Sequence, residues 1–191
     1  MEGRRIRVVV VDDHDIIHQG VSAVLGDSFE VVGHASDVEG ALTRIGETRP
    51  DVALIDVDLE EGGSGATVGR RARGEAALLA LSALVEREAV MEMIAAGASG
   101  YITKGDTKRL PRAIEMVAAG IPYFSRDLAS IVRAVPNVSS RLSPEEKEVM
   151  DLVVGGLDDE EVAARLSVTV DRVHEIYRRV IDIAGEGGGP E

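Results

Sequence analysis

The sequence predicts an α/β fold, a doubly wound five-stranded parallel sheet, followed by a small all-α domain. In the amino-terminal part, short apolar runs of strand length alternate with segments whose apolar residues recur at helical spacing. Such alternation is typical of a parallel sheet covered by helices on both faces. Beyond residue 142 the helical spacing continues, but no further strand-like run follows. The two parts therefore belong to different structural classes.

The strands can be assigned one by one from these apolar runs. The third run, between Pro50 and the glycine-rich segment 62–65, is apolar almost throughout, which indicates a strand buried on both faces. The segments between the runs place apolar residues three and four positions apart, as helices do. The predicted strands are Ile6 to Val11, Phe29 to Val32, Val52 to Val57, Leu78 to Leu81 and Gly100 to Thr103.

Composition excludes several classes of protein. The 191 residues include no cysteine, which rules out disulfide scaffolds and thiolate sites and makes an intracellular, cytoplasmic location the expectation. No apolar run is long enough to span a membrane, so we expect a soluble protein without a membrane partner. The net charge of −13 argues against nonspecific binding to nucleic acids or membrane surfaces, which requires a positive field.

The chain places acidic, hydroxyl and ammonium groups where four of the predicted strands end. In the strand order 2-1-3-4-5 these carboxyl ends are neighbours, so the groups converge on one crevice. Clustered carboxylates repel one another unless a cation is present, and hard oxygen ligands suit hydrated Mg²⁺. The groups are Asp12 and Asp13 after the first strand, Asp56 after the third, Ser82 after the fourth and Lys104 after the fifth.

This set of groups fits phosphoryl transfer to a carboxylate. Asp56 stands alone at the end of the central strand and is the expected nucleophile, whereas the adjacent Asp12 and Asp13 are better placed to hold a metal. The serine hydroxyl and the lysine ammonium would then bind anionic oxygens. Taken alone, Asp56 is equally consistent with an aspartate that caps a helix or lies in a loop.

Several segments carry a resemblance to a known family. The segments 8–14, 51–56, 80–83 and 95–104 resemble the receiver domain of two-component response regulators. The segments 142–149 and 161–166 are similar to the LuxR-type helix-turn-helix. Together they resemble the NarL/FixJ class, which implies a flavodoxin-like receiver followed by a helix-turn-helix domain.

The resemblance implies a role for each residue at the strand ends. Asp56 would be phosphorylated by a sensor histidine kinase. Mg²⁺ would be bound by Asp13, Asp56 and the backbone carbonyl of Asp58, with Asp12 helping through water. The segment after Asp56 departs from the family pattern, because it contains no proline and carries two additional carboxylates. We expect this departure to affect the kinetics rather than the chemistry.

The same resemblance assigns the switch residues. Ser82 and Lys104 would contact the phosphoryl oxygens, and Tyr101 would be the aromatic switch residue, although a tyrosine at this position is also consistent with core packing. The protein would then be a phosphoryl acceptor, limited to Mg²⁺-dependent self-phosphorylation and dephosphorylation, rather than an enzyme. Activation is expected to produce a homodimer.

The predicted domains are a receiver at 1–121, a linker with a short helix at 122–141, a helix-turn-helix domain at 142–185 and a disordered tail at 186–191. The second helix of the helix-turn-helix would enter the major groove of double-stranded DNA. Its first position would be capped by Thr169, and its exposed side chains would meet phosphates and base edges. The expected DNA-facing residues are Thr169, Arg172, His174, Arg178 and Arg179.

The charge of the carboxy-terminal part leaves a second function open. From Ser140 onward there are six basic residues against thirteen acidic ones, whereas a DNA reader is normally basic. Asp171 and Glu175 lie on the helix expected to read DNA. The helical domain is therefore either a DNA-binding output or one that binds a protein partner.

An enzyme is an alternative interpretation of the amino-terminal site. A phosphatase with an aspartate nucleophile would need a general acid near Asp56, and Asp58 could serve. The spacing of Asp12, Asp13, Ser82 and Lys104 favours a receiver instead.

Overall fold

The structure is a computed structural model that describes residues 4–59, 63–83 and 85–186. Five parallel strands form one sheet in the order β2-β1-β3-β4-β5, which confirms the predicted fold class and strand order. The strands β1, β3 and β4 lie inside the sheet, and their apolar side chains are almost all buried. The strands are β1 (Ile6–Val11), β2 (Phe29–Ala35), β3 (Val52–Asp56), β4 (Ala77–Ser82) and β5 (Ala98–Thr103).

Five helices connect and follow these strands, as the alternating pattern predicts. A 3₁₀ turn at Thr107–Arg109 precedes the last of them, so the predicted helix from Thr107 begins as a tighter turn. Pro111 occupies the second position of the helix proper, where its missing N–H removes no helical hydrogen bond. The helices are α1 (Asp15–Leu25), α2 (Val38–Thr48), α3 (Gly65–Arg71), α4 (Arg87–Ala95) and α5 (Leu110–Ala118).

The strand β2 is three residues longer than its apolar run suggests. Gly33, His34 and Ala35 continue the pairing with β1 after a register shift between Val8 and Val9. Because β2 lies at the edge of the sheet, its backbone needs only one hydrogen-bonded neighbour, and its side chains need not all be apolar. The apolar pattern alone therefore ends before the strand does.

Two helices occupy the segment predicted as a linker. They are α6 (Arg126–Ala134) and α7 (Pro136–Arg141). Ser125 caps the first by accepting a hydrogen bond from the backbone N–H of Leu128, and Pro136 opens the second at its first position. The sequence predicts the first helix but not the second, which begins at a proline that a helix accepts only in its first turn. The domain boundaries remain proposals.

Three helices form the carboxy-terminal part, namely α8 (Pro144–Val154), α9 (Asp159–Leu166) and α10 (Val170–Glu186). Capping boxes begin α8 at Ser143 and α9 at Asp158. The helix α10 extends through Glu186, so this residue is helical rather than part of a disordered tail. The remainder of the predicted tail, 187–191, lies outside the described residues.

The carboxy-terminal helices are docked against the sheet domain. The helix α10 packs against α4, and α6 packs against both α4 and α8. The guanidinium Nε of Arg178 donates a hydrogen bond of 2.9 Å to the carbonyl of Gly120. The rings of Tyr177 and Phe124 pack together with their centroids 5.0 Å apart. Among the described residues, no helix combines the length and apolar character needed to cross a membrane.

Candidate functional site

The carboxyl ends of β1, β3, β4 and β5 bring the predicted groups together. Asp12, Asp56 and Ser82 are each at most 3% exposed. The ammonium Nζ of Lys104 lies 2.7 Å from Asp12 Oδ2 and 2.7 Å from Asp56 Oδ2. One cation therefore joins two buried carboxylates that belong to neighbouring strands.

The charges of these groups depend on one another. Burial raises the pKa of Asp56, the hydrogen bond from Lys104 opposes that rise, and the charge of Asp12 adds to it. Burial alone would lower the pKa of Lys104, but its hydrogen bonds to Asp12 and Asp56 outweigh burial and raise it. Lys104 thus stays charged and favours the ionised form of Asp56, which a nucleophile requires.

The carboxylates also form a set of metal donors. Ligand atoms of Asp12, Asp13, His14 and Asp56 all lie within 4.8 Å of one another. Three carboxylates at this spacing are the hard oxygen donors that Mg²⁺ prefers, so these residues fit that ion. This acidic cluster lies at the carboxyl end of the sheet and includes the proposed nucleophile, Asp56.

His14 also belongs to this cluster. Its Nδ1 lies 2.6 Å from Asp13 Oδ1, and the negative charge of Asp13 raises the pKa of the imidazole. The residue occupies the N-cap position of α1, where its side chain caps no backbone N–H. Its position directly after Asp13 was the only signal in the sequence, and that signal does not specify the direction of the ring.

Ser82 and Tyr101 are joined directly. The phenol of Tyr101 is 2% exposed and hydrogen-bonds to Ser82, and burial raises the pKa of the phenol. Tyr101 is therefore both a core residue and a neighbour of the site, so the two interpretations from the sequence are compatible. The backbone N–H of Asp58 donates to Asp56 Oδ1 at 3.3 Å, which places the next turn of chain beside the proposed nucleophile.

Gly65 allows α3 to begin directly beneath the end of β3. A Cβ atom at this position would lie 2.1 Å from the backbone carbonyl oxygen of Asp56. The Gly65 N–H donates instead to the Val57 carbonyl at 3.0 Å. This close approach supports the backbone that carries Asp56. Glu60 and Glu61, the two additional carboxylates in the sequence of this loop, lie outside the described residues.

The comparison with known families agrees with this geometry. Residues 8–115, more than half of the chain, match the response regulator receiver domain. The chain belongs to the response regulator family. This assignment confirms the resemblance seen in the sequence, and it places the chain among regulators rather than among classical enzymes.

Known response regulators are similar to this chain over between two thirds and nearly all of its length. The DNA-binding transcriptional activator DevR/DosR of Mycobacterium tuberculosis is 30% identical, with 92% of this chain and 87% of that protein covered. A LuxR-family response regulator from Aurantimonas sp. is 32% identical over 66% of this chain and 94% of that structure, with a TM-score of 0.62. The RcsB response regulator of Salmonella typhimurium, at 20% identity, shares the fold, with a TM-score of 0.61 and 96% and 93% coverage.

The helix α10 of this response regulator holds the residues predicted to contact DNA. Thr169 caps it, because its Oγ1 accepts the backbone N–H of Arg172 at 3.2 Å. Arg172, Arg178 and Arg179 are exposed, as predicted. Their side chains, however, contact other groups of the same chain, which the sequence did not indicate.

The prediction that His174 faces outward is wrong. Its side chain is 10% exposed, and its Nε2 lies 2.9 Å from Asp159 Oδ2. His174 follows the buried Val173 on the inner face of α10, where Asp159 of α9 offers it a hydrogen-bond partner. The interior position is therefore satisfied by a polar contact, and His174 is not available to read DNA.

The carboxylate of Asp159 on α9 contacts side chains of two other helices, α10 and α5. Besides His174, it accepts a hydrogen bond of 3.0 Å from the hydroxyl of Tyr177 and lies 3.6 Å from the guanidinium of Arg112 on α5. Burial, followed by the negative charge of Asp159, raises the pKa of Tyr177. One carboxylate therefore stabilises the contact between α9 and α10 and also faces the receiver.

Proposed function

We propose that this response regulator accepts a phosphoryl group on Asp56 from a sensor histidine kinase and controls transcription through DNA binding by its carboxy-terminal domain. The observation that supports this most directly is the position of Lys104, 2.7 Å from both Asp12 and Asp56. The proposed location is the cytoplasm, where kinase, phosphoryl donor and chromosomal DNA are all available to the protein.

In the proposed transfer, an oxygen of Asp56 forms a bond to phosphorus as the bond from phosphorus to the donor nitrogen of the kinase breaks. Lys104 can retain its contact with Asp12 while its ammonium group turns to a phosphoryl oxygen. The hydroxyl of Ser82 would contact another phosphoryl oxygen. Because Ser82 is bonded to Tyr101, such a contact would change the surroundings of the aromatic ring.

Asp12, Asp13, Asp56 and the backbone carbonyl of Asp58 are the proposed ligands of Mg²⁺. When bound, the ion would neutralise negative charge on the transferred group. The close spacing of the carboxylates supports this assignment. The proposed self-phosphorylation and dephosphorylation would take place at this same site, because both reactions need the carboxylate of Asp56 and the metal ligands together.

The output would follow from a change in domain contacts. In this structure α10 packs on α4, and Arg178 is bonded to the Gly120 carbonyl, so part of the recognition helix is occupied by the receiver. Phosphorylation, by adding a charge of about −1.5 to −2 next to Lys104, would alter β5 and the helices beside it. We propose that this releases α10 and allows a homodimer to bind DNA. DevR/DosR, the relative described above, is a DNA-binding activator.

The test is DNA binding by the wild type and by Asp56→Asn across a salt series, with and without a small phosphoryl donor plus Mg²⁺. We expect phosphorylation-dependent, salt-sensitive binding in the wild type and its loss in Asp56→Asn. Asp27→Asn, which removes the same charge from an exposed position, serves as the matched control and should behave like the wild type. Equal binding by Asp56→Asn and wild type under phosphorylating conditions would refute the switch.

A second output remains a candidate because of the charges around α10. Two of its arginines, Arg172 and Arg179, are paired with carboxylates of the same chain, and the domain is acidic overall. Such a surface suits a protein partner better than DNA. If the receiver takes up phosphate while no DNA is retained even at low salt, the helical domain is a protein-binding output, and phosphorylation-dependent association with a protein should then be sought.

A further inference from the structure

The three arginines predicted to contact DNA all have partners inside the chain. Arg172 is held from two sides: its Nη2 and Nε lie 2.7 and 3.2 Å from the two carboxylate oxygens of Glu145, and its Nη1 lies 3.0 Å from Glu175. The hydrogen bond from Arg172 lowers the pKa of Glu145. Two carboxylates thus occupy the donors that a phosphate or a guanine edge would use.

Arg179 is bound in a similar way. Its Nε lies 2.6 Å from Glu146 Oε1. Glu146 is only 4% exposed, and its other oxygen accepts the backbone N–H of Ser143 in the capping box of α8. The carboxylate is therefore fixed by the helix start that it stabilises, and it cannot move away without breaking that cap.

The partners of these arginines divide into two groups. Arg178 is hydrogen-bonded to the carbonyl of Gly120 in the receiver, so a movement of the domains can release its guanidinium group. Arg172 and Arg179 are bound by glutamates of α8 and α10, which belong to the same domain as the arginines themselves. Separation of the domains leaves these ion pairs in place.

We propose that Glu145 and Glu175 form a carboxylate clamp on Arg172 that lowers DNA affinity by a factor independent of phosphorylation. This inference rests on the proposed DNA-binding function. Phosphorylation would set whether α10 is accessible, and the clamp would set how strongly the accessible helix attracts phosphate. To bind DNA through Arg172, the protein must exchange one ion pair for another, which reduces the net free energy of that contact.

The test compares the wild type with the double variant Glu145→Gln/Glu175→Gln in DNA retention over a salt series, with and without phosphoryl donor plus Mg²⁺. We expect the double variant to bind about fivefold more tightly in both states, since an exposed ion pair is worth that factor at most. The slope of log affinity against log salt should steepen by about one phosphate contact.

Two matched variants separate the clamp from a general effect of charge. Glu148→Gln/Glu160→Gln changes the net charge by the same amount at exposed positions that contact no arginine among the described residues, and it should leave affinity near that of the wild type. Adding Arg172→Gln to the clamp variant should abolish the increase. An equal increase in the control pair, or an increase that survives Arg172→Gln, would overturn the clamp.

The outcomes distinguish the clamp from the function on which it rests. Phosphorylation-dependent binding by the wild type without tighter binding by the clamp variant overturns the clamp alone. No retention of DNA by the wild type or by any variant at low salt overturns the proposed DNA-binding function, and the clamp with it. Because the substituted glutamates are exposed or half-exposed, we expect every variant to unfold at nearly the temperature of the wild type.

Discussion

The receiver and the carboxy-terminal domain each centre a charged network on one side chain, but with opposite signs. In the receiver the cation Lys104 lies between Asp12 and Asp56. In the other domain the anion Asp159 accepts from His174 and Tyr177 and faces Arg112. The first network opens on a site where a metal and a phosphoryl group would bind, whereas the second stabilises helix packing.

The two networks differ in how available their charged groups are to a ligand. The two buried carboxylates beside Lys104 repel each other and share one cation, so each of them could bind another cation in its place. The contacts around Asp159, and those around Arg172, are already balanced within the chain. A region can therefore preserve its fold while its charged groups become less available to a ligand.

The largest effect is expected for Lys104→Met. Without the ammonium group, the buried Asp12 and Asp56 face each other unneutralised, and the free energy of unfolding in the absence of Mg²⁺ should fall by about 3 kcal/mol. Urea unfolding with and without Mg²⁺ measures this loss. Lys147→Met, a half-buried lysine without an ion pair among the described residues, should change stability little. Equal stability of the two variants would show that the two carboxylates do not depend on Lys104.

A smaller effect is expected for Asp159→Asn. The change removes the charge that strengthens the bonds from His174 and Tyr177, so thermal or urea unfolding should show a loss of about 1–2 kcal/mol. Glu160→Gln removes the same charge from the adjacent exposed position and is the control. If both variants lose the same stability, helix charge rather than the network is responsible, and the comparison with Lys104 fails.

The smallest effect concerns a charged contact outside both networks. His34 and His18 lie with their Nδ1 atoms 2.8 Å apart, and burial, His18 and Arg44 together lower the pKa of His34. A histidine with a lowered pKa binds its proton more readily when unfolded, so stability should fall as the pH drops below about 6.5. Since the ring is only partly buried and solvent screens it, the loss should be about half a kcal/mol.

Unfolding free energies measured between pH 7.5 and 5.5 for the wild type and His34→Gln would show this contribution. The pH dependence of the variant should be flatter than that of the wild type over this range. A steeper dependence in the variant would mean that protonated His34 stabilises the fold, contrary to the lowered pKa. The size of the effect also gives a baseline for charged groups that lack a buried network.

The convergence of the side chains at the proposed phosphoryl site was largely predictable because strand position determines where a side chain lies. Asp12, Asp56, Ser82 and Lys104 each follow an apolar run, and parallel strands bring such ends to one edge of a sheet. The direction of the His14 ring was not predictable, because it depends on local rotamers rather than on strand order. The sequence thus specified the members of the site better than their contacts.

The carboxy-terminal domain was harder to predict because its contacts join residues far apart in sequence. Spacing along one helix does not show that Arg172 reaches Glu145 across 27 positions, or that Asp159 draws His174 inward. Helical periodicity also leaves residues at the border of the apolar face undetermined. Such residues are assigned by the neighbouring helix, which a single sequence does not place.

The close approach at Gly65 has a consequence for how this protein can change in evolution. The Val57 N–H donates to Leu81 at 2.9 Å and the Val57 carbonyl accepts from Gly65 at 3.0 Å, so both ends of the segment after Asp56 are fastened to the same place. Insertions or substitutions between these ends do not have to displace the aspartate. Natural variation in this segment can therefore change the surroundings of the proposed phosphoryl acceptor without moving its carboxylate.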